Sequence, residues 1–157
     1  MFVRYYVTIP KPIEECREAM VREPSSWLPQ IVADAETPAG PILARLGFSL
    51  VRKQAVVSVG EPVSVGDWLH VPIEWHASPA AGLFPAFNGE IQLVPIDPDV
   101  TKVAVAGTYD PPAGDVGRAV DNLLLHTAAE ATVKDFAEGV ARRIARGVST
   151  KRAASGA

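Results

Sequence analysis

His126, Arg118 and Tyr109, with Asp121 and Asp135 near them in sequence, are the residues of this chain best suited to chemistry. A His–Asp couple could move a proton. The separations i, i+5 and i, i+9 do not bring either acid beside His126 on a helix, however. A metal needs at least three converging ligands. His70 and His76 share a strand face opposite Leu69, Val71 and Ile73, so a meeting with His126 inside the protein is not expected. A cysteine-based zinc site and an internal disulfide are excluded by the single cysteine, Cys16, which reads as a small buried hydrophobe. No glycine-rich phosphate loop, nucleophile elbow or His-Glu-x-x-His pattern occurs, and neither metal nor cofactor is expected. What remains is an anchoring role. The Arg118 guanidinium could fork onto a carboxylate or carbonyl of a ligand, with a salt bridge to Asp121 as the competing use.

The elements that would position these groups are a strand, a turn and a long helix. Thr101 to Tyr109 places Val103, Val105, Gly107 and Tyr109 on one face, and Asp110-Pro111-Pro112-Ala113-Gly114 stops the ladder because neither proline can donate to it. From Asp115 to Arg146 there is no proline. That run is roughly 30 residues, or about 45 Å of helix at 1.5 Å per residue. A helix of that length must lie across something.

Most of what precedes it reads as antiparallel strands. Phe2–Ile9 alternates with period two and Pro10 ends it. Pro12, Glu14 and Glu15 mark a first short helix to about Val21, and Pro24-Ser25-Ser26 opens a second that contains Trp27, Leu28, Ile31 and Val32. Strands are then expected at Pro41–Leu50, Lys53–Val59, Trp68–Ala77, Phe87–Val94 and Thr101–Tyr109, with Val63–Val65 either a further strand or part of a turn. The composition is 48% hydrophobic and 21% charged, ordinary for one globular domain of 157 residues. A net charge of −3 without a basic run argues against nucleic acid as a partner. The N-terminus enters a strand directly and no window approaches about 18 uncharged apolar residues, so a cytoplasmic protein without a membrane span is expected. The domain is expected over residues 1–147, with residues 148–157 a small, polar, disordered tail.

The segments FPAFNGEIQLVPI at Phe84–Ile96, GTYDPPAGDVGRAVD at Gly107–Asp121 and HTAAEATVKDF at His126–Phe136 resemble a bacterial branch of the START-like, or helix-grip, superfamily, which includes polyketide cyclases and lipid-transport proteins. In that branch a Tyr-x-Pro-Pro-x-Gly-x-x-Gly segment, here Tyr109 to Gly117, leads into the last helix. The resemblance spans Phe2 to about Arg146. It implies an α+β fold: a curved antiparallel sheet, two short helices after the first strand, and one long C-terminal helix gripped by the sheet. It names no shared catalytic residue, and fold alone does not fix activity.

Two apolar stripes run along the long helix. Val116, Val120, Leu123, Leu124, Thr127, Ala128 and Ala131 form one. Leu125, Ala129, Val133, Phe136, Val140 and Ile144 form the other, on nearly the opposite side. If the second stripe seals the sheet, Arg118, Asn122 and Leu125 face the space between them, with His126 at its edge. The first stripe then suits a partner surface, for which a second copy of the chain is one candidate. The opposing wall would be Val71, Ile73, Trp75, Ile91, Leu93 and Val105. Gly107 makes room under the helix, Tyr109 sits at the strand end, and Phe84 lies in a loop able to cover the mouth. Binding or transport of a hydrophobic or amphipathic small molecule leads as the functional reading. An aromatase/cyclase type of enzyme using Arg118, His126 or Tyr109 is the alternative, and a protein that acts by dimerising or docking is the third.

Overall fold

Alternation in the first strand has a direct structural outcome. In β1 (Phe2–Ile9), Val3 and Ile9 are buried while Phe2 and Tyr6 face out. The computed structural model describes residues 1–35, 55–77, 86–110 and 122–155. Pro10 follows β1, and α1 (Ile13–Val21) begins after Pro12 with Glu14 and Glu15 in its first turn, where acids favour the helix dipole. Cys16 and Met20, one turn apart, are its buried residues. Glu23 adopts a left-handed backbone with φ 46°, which for a side-chain-bearing residue costs about 1–3 kcal/mol and turns the chain sharply. Hydrogen bonds around the corner offset that strain. The Ser26 hydroxyl and backbone N–H both donate to the Glu23 carbonyl, and Trp27 Nε1 donates to the Arg22 carbonyl at 3.1 Å. The second helix, α2 (Pro24–Ala35), has Pro24 as its first residue, where a missing N–H does no harm, and tolerates Pro29 within it. Its buried side is Trp27, Leu28, Val32 and Ala35.

The sheet comprises β1, β2 (Ala55–Val59), β3 (Val63–Val65), β4 (Trp68–Ala77), β5 (Ala86–Asp97) and β6 (Val100–Asp110). Every pairing is antiparallel, in the order β1-β6-β5-β4-β2, with β3 also paired to β4. The β3–β4 hairpin turns on Gly66 and Asp67, and Gly66 takes φ 57°, a backbone state that favours glycine. β4 covers the expected range. The expected strands at 87–94 and 101–109 are longer than the alternation suggested, and Val63–Val65 is a strand in its own right. The expected strand at 41–50 lies outside the described residues, as do Lys53 and Gln54.

The C-terminal helix, α3 (Asn122–Ser155), has 34 described residues, about 51 Å at 1.5 Å each. It packs on β1 and β6, with α1 and α2 alongside. Ala129, Val133, Phe136, Val140 and Ile144 are buried at 0–1% exposure, so the second of the two apolar stripes seals the core. Its expected start near Asp115 lies outside the described residues. The expected tail is corrected: residues 148–155 continue the helix, and Val148 is buried. No helix among the described residues is long and apolar enough to cross a membrane.

Two glycines set how closely the helices approach. A Cβ on Gly139 would lie 2.7 Å from Ile31 Cγ2 on α2, and one on Gly147 would lie 3.3 Å from Ala19 Cβ on α1. That atom is the methyl on the branched Cβ of Ile31, held close to the α2 backbone, and cannot yield cheaply. Gly139→Ala is therefore expected to lower stability by about 1–3 kcal/mol through overpacking, despite the better helix propensity of alanine. In an Ile31→Ala background the same change is expected to be neutral or stabilising by up to about 1 kcal/mol. Thermal melting of the four proteins gives the coupling.

Candidate ligand site on the inner face of the sheet

Strand register lays the inner-face residues out in rows. One row is Val7, Val103, Leu93 and Leu69; the next is Tyr5, Val105, Ile91 and Val71. The third holds Val3, Gly107, Gly89, Ile73 and Val59, and the fourth Tyr109, Phe87, Trp75 and Val57. Two missing side chains at the centre of the third row thus lie beside three aromatic rings in the fourth. Val71, Ile73, Trp75, Phe87, Ile91, Leu93, Val105 and Tyr109 are all 0–2% exposed. Trp75 stacks on Phe87 with ring centroids 4.2 Å apart and lies tilted on Phe136 of α3 at 5.0 Å. This contact ties the sheet to the helix.

The glycine pair does not leave empty room. A Cβ built on Gly107 would come 2.5 Å from the Asn88 carbonyl oxygen, 2.6 Å from Gly89 Cα and 2.7 Å from Phe87 Cζ. A Cβ on Gly89 would likewise meet Phe87 Cζ at 2.7 Å and clash with the Ala106 carbonyl oxygen. The Phe87 ring therefore lies over both glycines and fills the dip they make. The expectation that Gly107 opens free volume under the helix is corrected on this point: the space exists, and Phe87 occupies it.

The sequence-derived site residues separate accordingly. Val71, Ile73, Trp75, Ile91, Leu93, Val105, Gly107 and Tyr109 share the inner face. His126 does not: its side chain is 47% exposed, and its Nδ1 pairs with Glu130 Oε1 at 3.3 Å one turn along α3. Only the backbone of Asn122 and Leu125 is described, in the first turns of α3. Arg118 and Phe84 lie outside the described residues, as does Val120 of the other stripe. Thr127 of that stripe is exposed. Phe87, Gly89 and Phe136 are central here and were not among the sequence candidates. The signal for the first two lay in the hairpin around Asp97-Pro98-Asp99, which brings residue 89 opposite residue 107.

Polar chemistry sits elsewhere. On the outer face His70 Nδ1 meets Glu90 Oε2 at 3.1 Å, Gln92 Nε2 donates to Glu90 Oε1, and Trp68 stacks on the His70 ring. A cleft of about 510 Å³ between α2 and α3 is lined by Asp34 of α2 and by Asp135, Glu138, Arg142, Arg143 and Arg146 of α3. Arg142 pairs with Glu138 at 3.7 Å, and Arg143 lies over the Trp27 ring at 5.7 Å. A second cleft of about 360 Å³ separates β1 from the first half of α3, between Arg4 and Tyr5 on one side and Glu130 and Lys134 on the other. Cys16 is buried, which pushes its thiol pKa up and makes it a poor nucleophile. Among the described residues no cluster of three or more His, Cys, Asp or Glu side chains could hold a metal.

No protein-family model matches the sequence, and comparison with curated proteins finds no match. Solved structures do match. A conserved protein from Geobacillus kaustophilus superposes with a TM-score of 0.54 at 14% identity, covering 93% of this chain and 96% of its own. The Zhui aromatase/cyclase from Streptomyces sp. R1128 gives 0.50 at 12% identity, covering 97% and 95%. The fold is a helix grip, a curved antiparallel sheet with two short helices after the first strand and a long C-terminal helix across it. At these identities the likeness is one of fold, and the helix-grip architecture assigns no role to any side chain.

The filled dip yields a test of the helix-grip interior. Gly107→Ala is expected to destabilise the protein by about 1–3 kcal/mol, because its Cβ would press on backbone atoms of β5 that cannot swing away. Gly107→Leu is expected to cost more, as the added side chain also displaces the Phe87 ring. Urea unfolding midpoints measure both.

Proposed function

We propose that the chain binds a hydrophobic or amphipathic small molecule between the inner face of the sheet and α3, at the end where Trp75, Phe87 and Tyr109 lie. The observation that carries this reading is the placement of Phe87. Its ring fills space left by two absent side chains in the neighbouring row, so one side chain governs a gap that the backbone has built. With Phe87 turned away, the gap becomes a slot with a floor of glycine backbone and walls of Ile73, Ile91, Val105, Trp75 and Phe136. A mostly apolar lining with few polar groups suits small-molecule binding. Both solved neighbours share the fold, and the one described as an aromatase/cyclase raises the catalytic alternative. Of the residues considered for such chemistry, Tyr109 is buried in the layer while His126 is on the surface beside Glu130. The binding reading therefore leads, and it needs no reacting group.

The test enlarges the slot. Phe87→Ala is expected to cost about 3–5 kcal/mol in the free protein. A bound hydrophobe should then recover part of that loss, because a ligand that binds only the folded state raises its stability. Nile red fluorescence and melting temperature, followed together, should show tighter dye binding and a larger thermal shift in Phe87→Ala than in the wild type. Native mass spectrometry of the wild-type protein as purified is expected to show a copurified apolar molecule. A Phe87→Ala protein that melts low and takes up no dye would identify the layer as a closed core.

A further inference from the structure

Trp75 is wholly buried, between Phe87 and Phe136, yet its indole N–H has no hydrogen-bond partner among the described residues. The other two tryptophans differ. Trp27 donates to the Arg22 carbonyl at 3.1 Å, and Trp68 is 43% exposed and reaches solvent. A buried tryptophan N–H usually finds an acceptor, and leaving one unpaired is unfavourable. A phenylalanine at this position would keep the stacked ring and carry no donor. The donor in the layer thus calls for an acceptor that the described residues do not provide.

The surroundings restrict that acceptor. Among the described residues the buried hydroxyls are those of Thr101 and Thr132, which donate to the Lys11 and Ala128 carbonyls at 2.8 and 3.0 Å, and that of Tyr109, which lies in the same row with Phe87 between it and Trp75. No described cation lies in the layer to neutralise a carboxylate, and an unpaired buried charge is far more costly than a neutral oxygen accepting one hydrogen bond. The stacked and tilted rings favour a flat apolar body beside them.

We infer that Trp75 Nε1–H is the hydrogen-bond donor to the bound molecule, and that this molecule is neutral, with a flat apolar body and an oxygen acceptor such as a ketone. The inference rests on the reading that the inner layer binds a small molecule, and it adds the polarity of the ligand and the residue that selects it. It places the ligand's polar contact at Trp75, while Arg118, the anchor read from the sequence, lies outside the described residues.

Three matched probes test it on the wild type and Trp75→Phe: 2-acetylnaphthalene, 2-ethylnaphthalene and 2-naphthoate. The wild type should bind the ketone about five- to tenfold more tightly than the ethyl analogue, the range a single net hydrogen bond gives. Naphthoate should bind most weakly, and Trp75→Phe should lose the ketone preference while keeping its affinity for the hydrocarbon. In a proton–nitrogen correlation spectrum of the wild type, the ketone should move the Trp75 indole signal downfield and the ethyl analogue should not. This measurement stands alone if Trp75→Phe does not fold. Equal binding of ketone and hydrocarbon with no indole shift would overturn the donor assignment and leave the binding reading intact. Tightest binding of naphthoate would overturn the neutral-ligand assignment. Failure of all three probes to bind the wild type would overturn both.

Discussion

The close approach of Gly89 to Gly107 at the centre of the sheet is the constraint on which the interior depends. Neither position has room for a Cβ, since each would press on the backbone of the opposite strand. The hollow above them then has to be filled from a neighbouring row, and Phe87 fills it. Its position sets that of Trp75 by stacking, and Trp75 in turn meets Phe136, which fixes how α3 lies over the sheet. Backbone proximity on two strands is in this way transmitted through three rings to a helix.

The two sides of the sheet consequently do different work. The inner side is mainly apolar, its side-chain polar groups being the Trp75 N–H and the hydroxyls of Tyr5 and Tyr109. The outer side carries the His70, Glu90 and Gln92 group with Trp68 laid against it. Charged side chains of α3 gather away from both faces, where Asp135, Glu138, Arg142, Arg143 and Arg146 line a cleft with Asp34 of α2. Such mixed-sign pairs in contact with water contribute little stability individually. The fold rests on the inner layer, and the surface is left free to vary.

The sequence showed the fold more clearly than the site, and the reason is periodicity. β4 was legible from Trp68 to Ala77 because one of its faces is covered and the other wet, so its residues alternate without exception. The sealing stripe of α3 was legible because Ala129, Val133, Phe136, Val140 and Ile144 recur at helical spacing. Gly107 drew notice as a gap, but its occupant could not be read from one strand alone; it required the register that places Gly89 opposite and Phe87 one row away. His126 looked like a pocket residue on helical phase, yet Glu130, one turn along, holds it at the surface. The segment after Gly147 looked like a tail because its residues are small and polar. Val148 supplies an anchor there, and lysine, arginine and alanine, all good helix formers, continue α3.

The glycines at 139 and 147 have a mechanical consequence. They let α2 and α1 come close to the second half of α3, where Val140, Ile144 and Val148 are buried. Two helices as well as the sheet thus hold that half of α3. Amide exchange should be slowest between about Phe136 and Val148 and should quicken towards Asn122, since local opening follows the density of buried contacts. The aromatic row meets the helix at Phe136, so the rings of the sheet are tied to the start of that slow segment.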